Sequence, residues 1–452
     1  MSRQLRTPTA HGEVLADPPF AAIPALVEAN RKLLDRTDVL IAGRPLRELR
    51  ALARREVLEL ANGRREPAGE SDGPLLLTGH QPELSHPGVW VKNFALNGLA
   101  RQLGGVPLHL IVDNDTLKST TIRVPVFREG DPASVRLESV AFDTFDGEVP
   151  YEDRAVRDAN LFGAFADRYL GVCANTVGKA FTVARRARER AWGCDNLELP
   201  VSRLAQTRAF ARFAQHILTD LPQFRAAYNA AIRAYRAANG IRSANHPAPE
   251  LAEGEAPFWE RTATGKRQRA TAASDVRSLR PRALTLTLFA RVCLGDFFIH
   301  GIGGGKYDEV TDAIIRDYFG IEPPAYQVLS ATLHLPLPAF PSTAADLTRA
   351  ARRVRDLRWN PHVALPPGAV TEAFAANEPS RVDHAARREW FRALQQSKER
   401  MRALVASEVP GAEAELARVR SEVEANTILR RRDYPWVLYP EETLRPFLQG
   451  FL

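Results

Sequence analysis

Residues 75–115 read LLLTGHQPELSHPGVWVKNFALNGLARQLGGVPLHLIVDND, and this stretch decides the fold. The apolar run Leu75-Leu76-Leu77 predicts a short buried strand. The turn after it holds two histidines, two prolines and two glycines between Thr78 and Gly88. From Val89 to Leu103, the positions of Val89, Phe94, Leu96 and Leu99 predict a helix. Val106 to Asp115 is a second apolar run and predicts a second strand. A helix of this length between two apolar strands is a βαβ unit, so the strands should be parallel. Strands buried on both faces read as continuous apolar runs, as these do.

Working outward, residues 1–69 form an N-terminal helical segment, with helices predicted over Ile23 to Leu34 and Leu46 to Leu60. Asn62 to Pro74 reads as a loop rich in Gly, Pro and charge. Residues 70–150 supply the first half of a Rossmann-like core and end in irregular β-structure. Residues 151–279 read as a mainly helical insertion. Within residues 280–340, the second half of the core, Ala283 to Leu288 and Asp296 to Gly301 are expected as strands. Gly303-Gly304-Gly305 is expected as a loop, and Tyr307 to Phe319 as a helix. Residues 341–452 carry two helical runs, His384 to Val409 and Ala412 to Arg432, expected as an antiparallel, coiled-coil-like hairpin broken at Pro410-Gly411. The fold class is α/β: a Rossmann-like parallel-sheet core split by a helical insertion, with a C-terminal helical hairpin.

The chain has 452 residues, enough for two or three domains. A hydrophobic fraction of 45% and a charged fraction of 25% exclude a disordered chain. The net charge of +7 suits anionic partners: nucleotides, phosphates or nucleic acid. Nucleic acid is the lesser expectation, because an Ala-, Arg- and Pro-rich composition accounts for the charge. Cys173, Cys194 and Cys293 contain no CxxC pair, against a disulfide framework or structural zinc. Neither a signal peptide nor an apolar run of roughly 18 residues stands out, so a soluble cytoplasmic protein without a membrane partner is expected.

Three constellations can carry chemistry. The first is Thr78, Gly79, His80, Gln81, His86, Gly88 and Lys92, between the first strand and its helix. Ligands bind at the carboxyl ends of strands in open α/β sheets, and a helix start favours phosphate or carboxylate. Pro87 fits the first helical turn, which puts His86 near the cap. The plainer reading is a turn whose histidines cap backbone groups. The second is Asp113-Asn114-Asp115 at the next strand end, on the same edge as His80 and His86. Its oxygens can hold an ammonium group, a ribose or a divalent metal, or can close an Asx turn. The third is His300, Gly301, Gly303, Gly304, Gly305, Lys306, Tyr307 and Asp308, where glycine N–H groups can cradle a phosphate. Neither GxGxxG nor GxxxxGK[ST] is present. His246, Glu250, Glu255 and Trp259 are candidates for a second pocket.

With these segments placed, the chain resembles the cysteine-adding enzyme family of bacillithiol biosynthesis, as a divergent member. That family has a TGQQ-type turn, a Gly-Pro helix start with a lysine, and an acidic motif at the next strand end. It then has an arginine-proline element, a Gly-rich strand-to-helix segment, and an "fGi..P" element. The matching residues are Thr78-Gly79-His80-Gln81, His86-Pro87-Gly88 with Lys92, Asp113-Asn114-Asp115, Arg280-Pro281, Gly301 to Asp308, and Phe319-Gly320-Ile321 with Pro323. His80 stands where the family has glutamine, and the acidic motif lacks its histidine.

The resemblance implies a carbon-nitrogen ligase that joins an amino acid, cysteine in that family, to an amine-bearing small molecule. ATP or another nucleotide is then the expected cofactor, with no metal. Phosphate would sit at the His86 helix start and the 303–305 loop, with Lys92 and Lys306 offsetting negative charge. The base is one of Asp113, Asp115, His80 and His300, and spacing alone does not choose among them. Two alternatives stay open: a non-catalytic nucleotide- or RNA-binding protein of this fold, and a metal-dependent hydrolase using His80, His86, Asp113 and Asp115. The C-terminal helices can also pair two copies as a homodimer.

Overall fold

The computed structural model describes residues 5–62, 73–262, 266–366 and 377–452. Most of the loop expected between Asn62 and Pro74 lies outside them. The chain divides into two compact units, one of residues 1–123, 139–334 and 432–452, the other of residues 124–138 and 335–431. It is a mixed α/β protein whose central sheet is mostly parallel.

The first unit is built on a six-stranded sheet. Its strands are β1 (Val14–Asp17), β4 (Leu75–His80), β5 (Val106–Ile111), β8 (Leu197–Pro200), β12 (Phe297–His300) and β13 (Tyr326–Ala331). The order is β1-β13-β12-β4-β5-β8. All neighbours are parallel except β1, which runs antiparallel to β13. β4 and β5 pair in register from Leu75↔Val106 to His80↔Ile111, linked by α3 (Pro87–Leu103). This is the predicted βαβ unit. The chain winds from β4 through β5 to β8 on one side, then returns to lay β12 and β13 on the other. The winding therefore reverses between β4 and β12. Their C-terminal ends open the crevice where ligands bind in sheets of this kind.

Side-chain burial explains these elements. Leu75, Leu76 and Leu77 are fully buried. α3 buries Trp90, Val91, Phe94, Leu96 and Leu99, and an all-round apolar helix is a core helix. Gly88 has a specific reason: a Cβ there would overlap Ala331 O, so only glycine lets α3 start this close to β13. α1 (Ile23–Leu34) and α2 (Leu46–Asn62) form as predicted, beside the small β2–β3 ribbon (Leu40–Ile41, Arg44–Pro45). Asn30 of α1 ties the sheet by donating to Asp296 O and Ala325 O at 2.9 and 2.8 Å.

Residues 151–279 are largely helical: α4 (Ala159–Tyr169), α5 (Val177–Ala191), α6 (Val201–Leu204), α7 (Arg208–Thr219) and α8 (Leu221–Ala238). They also contain β8, an unforeseen edge strand of the main sheet. β9 (Glu255–Arg261), β10 (Arg267–Thr271) and β11 (Leu279–Pro281) make a separate antiparallel sheet, ordered β10-β9-β11.

Two expectations for the second half of the core are corrected. Ala283–Leu288 is a helix, α9, continuing into a π-helical turn over Phe289–Leu294. Leu284, Thr285, Leu286 and Leu288 are all buried, so the run carries no helical stripe to distinguish it from a buried strand. Gly303, Gly304 and Gly305 are not a loop. They lie inside α10 (Ile302–Phe319), which begins two residues after β12 ends. A Cβ at Gly305 would overlap the Val328 side chain, so this glycine serves helix-on-strand packing.

In the second unit, β6 (Thr121–Arg128) and β7 (Asp131–Ala141) pair as a regular ribbon, most of which belongs to this unit. α11 (Ala344–Trp359), α12 (His384–Val405) and α13 (Val409–Leu429) complete it. α13 packs along α11 rather than back along α12, which corrects the expected hairpin. The break falls at Ala406–Glu408, and Pro410 sits in the first turn of α13, where its missing N–H costs nothing. Residues 432–452 return to the first unit, where α14 (Glu441–Gln449) packs on α3 and the rings of Trp436 and Trp90 meet at 5.0 Å.

Candidate functional site at the ends of β4 and β12

β4 delivers Gly79, His80 and Gln81 to the crevice, and β12 delivers His300. Thr78 lies just below, its hydroxyl donating to Ile299 O at 2.8 Å to join the two strands. Lys92 reaches up from the second turn of α3. It is 3% exposed, and its Nζ donates to Gly79 O at 3.1 Å. Burial pulls this lysine down to about 8, against the opposing field of Glu83.

Burial, reinforced by the Lys92 charge, lowers His80 to about 3. Its Nδ1 contacts Gln81 O at 3.1 Å and Glu83 at 3.7 Å. His80 is therefore neutral at physiological pH. His86 caps α3: its Nδ1 accepts the Gly88 N–H at 3.1 Å. Burial and the Arg432 guanidinium lower it to about 4. Arg432 is fixed to Ser330 Oγ and Ala331 O at 2.9 and 2.7 Å. A neutral ring that has accepted a helix N–H is a cap, so the α3 start is partly satisfied by its own side chain.

The start of α10 is different. Its cap residue is Gly301, which has no side chain to accept from the first turn. Beneath that turn lies His300, whose Nε2 is 2.7 Å from Asp308 Oδ2. Arg291, from the π-helical turn, donates to the same carboxylate oxygen at 2.9 Å and pairs with Asp312 at 2.7 Å. Burial works against an ionised Asp308, yet His300 and Arg291 hold it below the usual carboxylate range. An ionised Asp308 2.7 Å from Nε2 favours the tautomer with its proton there, although the contact lacks hydrogen-bond geometry, and that tautomer leaves the Nδ1 lone pair available. A Cβ at Gly304 would come within 2.8 Å of Nδ1, so glycine there keeps that nitrogen uncovered. Burial also lowers His300 below the ordinary histidine value, which keeps it in the base form. An oriented, neutral imidazole at the foot of an uncapped helix can take a proton from a nucleophile beside a bound anion.

The acidic strand end is less free than its spacing implied. Asp113 accepts Ser202 N at 2.8 Å and Ser202 Oγ at 2.5 Å, which makes it a cap for α6. Asn114 donates to Pro281 O at 2.7 Å. Asp115 accepts Gln81 Nε2 at 2.9 Å and Thr116 N at 2.8 Å. Lys306 is exposed on α10, and Tyr307 is half-buried with its ring 6.1 Å from His246. Glu250 pairs with Arg233 and Arg236, and Glu255 with Arg269 and Arg282. Of that second group, Trp259 lines a pocket with Asn114 and Arg267.

The structure thus gathers His80, Lys92, His300 and Asp308 near one switch point and assigns capping work to His86 and Asp113. Arg291 and Arg267 escaped the sequence reading. Each meets its partners only through the tertiary fold. Among the described residues, no group of three or more His, Cys, Asp or Glu side chains is placed to hold a metal ion. No helix among them is long and apolar enough to cross a membrane. The chain matches no family model, and no curated protein matches it.

Proposed function

We propose that this chain is a cytoplasmic, nucleotide-assisted ligase that forms an amide between an amino acid and an amine-bearing small molecule. The observation that carries the reading is the His300–Asp308 pair under the uncapped start of α10, next to Lys92. Amide formation needs an activated carboxylate, a base for the attacking amine, and stabilisation of the charge that develops. His300 Nδ1 serves as the base. The free N–H groups of α10 and the Lys92 ammonium hold the phosphate and the developing negative charge. The strand order, two parallel wings diverging from β4 and β12, supports a Rossmann-like core. The turn at Thr78–Gln81 and the helix start with Lys92 support a divergent relative of the bacillithiol cysteine-adding family, with cysteine the first amino acid to test. The C-terminal helices supply the surface for a homodimer.

We favour the ligase over the metal-hydrolase alternative because Asp113 accepts from Ser202 and Asp115 from Gln81. A thermal-shift screen with ATP, AMP, cysteine and amino sugars, beside tRNA binding at varied salt, tests the ligase reading. Nucleotide stabilisation that disappears in Lys92→Met is the expected result. Steep salt-dependent tRNA binding with no nucleotide effect would sink the ligase and favour the RNA-binding alternative.

A further inference from the structure

The β5 side of the switch-point crevice carries Glu83 and Tyr151, which the chemistry described so far does not use. Glu83 lies in the turn after β4, and its N–H donates to Gln81 O at 2.9 Å, which fixes the backbone behind the carboxylate. The side chain is 47% exposed, so a small molecule can reach it. Desolvation, and after it the charge of Asp115, nevertheless raises this carboxyl above the usual range, against the fields of Lys118 and Lys92. A carboxylate open to solvent and still desolvated lines a concave wall, not a convex surface. Among the described residues, no lysine or arginine is ion-paired with it. Its close neighbour His80, 3.7 Å away, is neutral at physiological pH. Tyr151 stands beside it. The Tyr151 N–H donates to Asp115 O at 3.0 Å. Its ring packs with Pro82 over the start of α5, where a Cβ at Gly178 would lie 3.2 Å from Pro82 and 3.3 Å from Tyr151. Tyr151 is 5% exposed, and among the described residues its hydroxyl makes no hydrogen bond. Burial raises this phenol, and the charges of Glu83 and Asp115 raise it further, so the hydroxyl is aimed toward the two carboxylates. Asp115 is ion-paired with Arg267 at 3.7 Å and accepts from Gln81, so it adds field and no free oxygen.

We propose that Glu83 and Tyr151 form the subsite for the α-ammonium group of a free amino acid, whose carboxylate then faces Lys92. A primary ammonium has three N–H donors, and the Glu83 carboxylate and the Tyr151 oxygen are acceptors at a partly dehydrated wall. An ammonium bound there offsets the repulsion between Glu83 and Asp115, which a neutral or anionic group does not. Glu83 and Lys92 act on each other's ionisation, so the crevice offers a ligand one negative and one positive group. A zwitterion matches that pair. An N-acylated acid does not, because it leaves the desolvated carboxylate of Glu83 facing a group without charge. The subsite therefore selects free amino acids over N-blocked peptides and simple carboxylic acids. It rests on the ligase reading for the fate of the carboxylate; recognition of the ammonium stands on Glu83 and Tyr151.

The test titrates the full chain calorimetrically with each standard amino acid singly, then compares the tightest with its N-acetyl and des-amino analogues. Saturable binding of the free amino acid is expected, with both analogues about tenfold weaker or more. Glu83→Gln, which keeps the shape and removes the charge, should weaken the free amino acid about tenfold or more and leave the analogues unchanged. Tyr151→Phe should weaken it about fivefold. Glu129→Gln, at the exposed turn between β6 and β7, should change nothing. Should Glu83→Gln fold poorly, the comparison of Tyr151→Phe with Glu129→Gln decides. Turnover with ATP separates the subsite from the ligase. Ammonium-dependent binding that is lost in Glu83→Gln, with no amide formed by the unaltered chain, keeps the subsite and sinks the ligase. Amide formation equally fast in Glu83→Gln and the unaltered chain keeps the ligase and overturns the subsite. Analogues that bind as tightly as the amino acid, or no saturable binding of any amino acid, would also overturn it.

Discussion

Among the described residues, the almost fully buried Lys92 ammonium has one hydrogen bond, to Gly79 O. A fall from 10.5 to about 8 corresponds to about 3 kcal/mol of destabilisation at neutral pH. Removing the ammonium also removes a hydrogen bond of about 1 kcal/mol. Lys92→Met should therefore raise stability by about 2 kcal/mol in urea melts while abolishing the nucleotide response. The unfolded chain holds this proton up to 10.5 and the folded chain to about 8, so the penalty is full below pH 8 and is relieved as pH rises between those values. Anion binding should weaken across the same rise, as the ammonium is lost. His80 acts at the other end. Its folded value is depressed to about 3, so its contribution is full above 6.5 and is lost as pH falls from there toward 3. His80→Gln should flatten the stability profile in that window. At His300, Asp308→Asn keeps the shape but no longer fixes the tautomer. Amide-forming turnover should fall about a hundredfold or more, with a smaller change in KM.

At the level of elements, close approaches define the fold. Gly88→Ala forces a methyl group into Ala331 O and should cost about 1–3 kcal/mol, read as a lower urea midpoint with unchanged slope. The β4–α3–β5 unit was legible because two apolar runs and a long helical pattern are strong local signals. α9 was not, because burial on all sides erases its period. β8 is four residues long and sits inside a helical region, so no local pattern marks it. The glycines of α10 misled because glycine is a weak helix former; their reason lies in Val328 and His300, which no local window contains. The same limit applies to the site. The crevice position of His80 and His300 followed from strand order, but Asp113 is claimed by Ser202, 89 residues away. Buried charge is hidden in the same way: Arg185 is buried between Glu189 and Glu198, a pairing no local pattern marks.

For the whole molecule, the homodimer proposed above would use the exposed Trp359, Phe391 and Leu404 of the second unit. Light scattering should give twice the 50.1 kDa chain mass, and Phe391→Glu with Leu404→Glu should return it to one chain. The antiparallel strand β1 has a further consequence. It covers β13, every residue of which is buried. The opposite edge, β8, is short and contains Pro200, so it offers little for another strand to pair with. A chain shortened to begin at Phe20 would uncover β13 as a long apolar edge with unpaired backbone groups, a template for adding strands from other molecules. Such a chain should accumulate as insoluble aggregate, and replacing Val328 with lysine should not rescue it, because that side chain points into the core. In this protein, four residues of β1 act as a guard against aggregation.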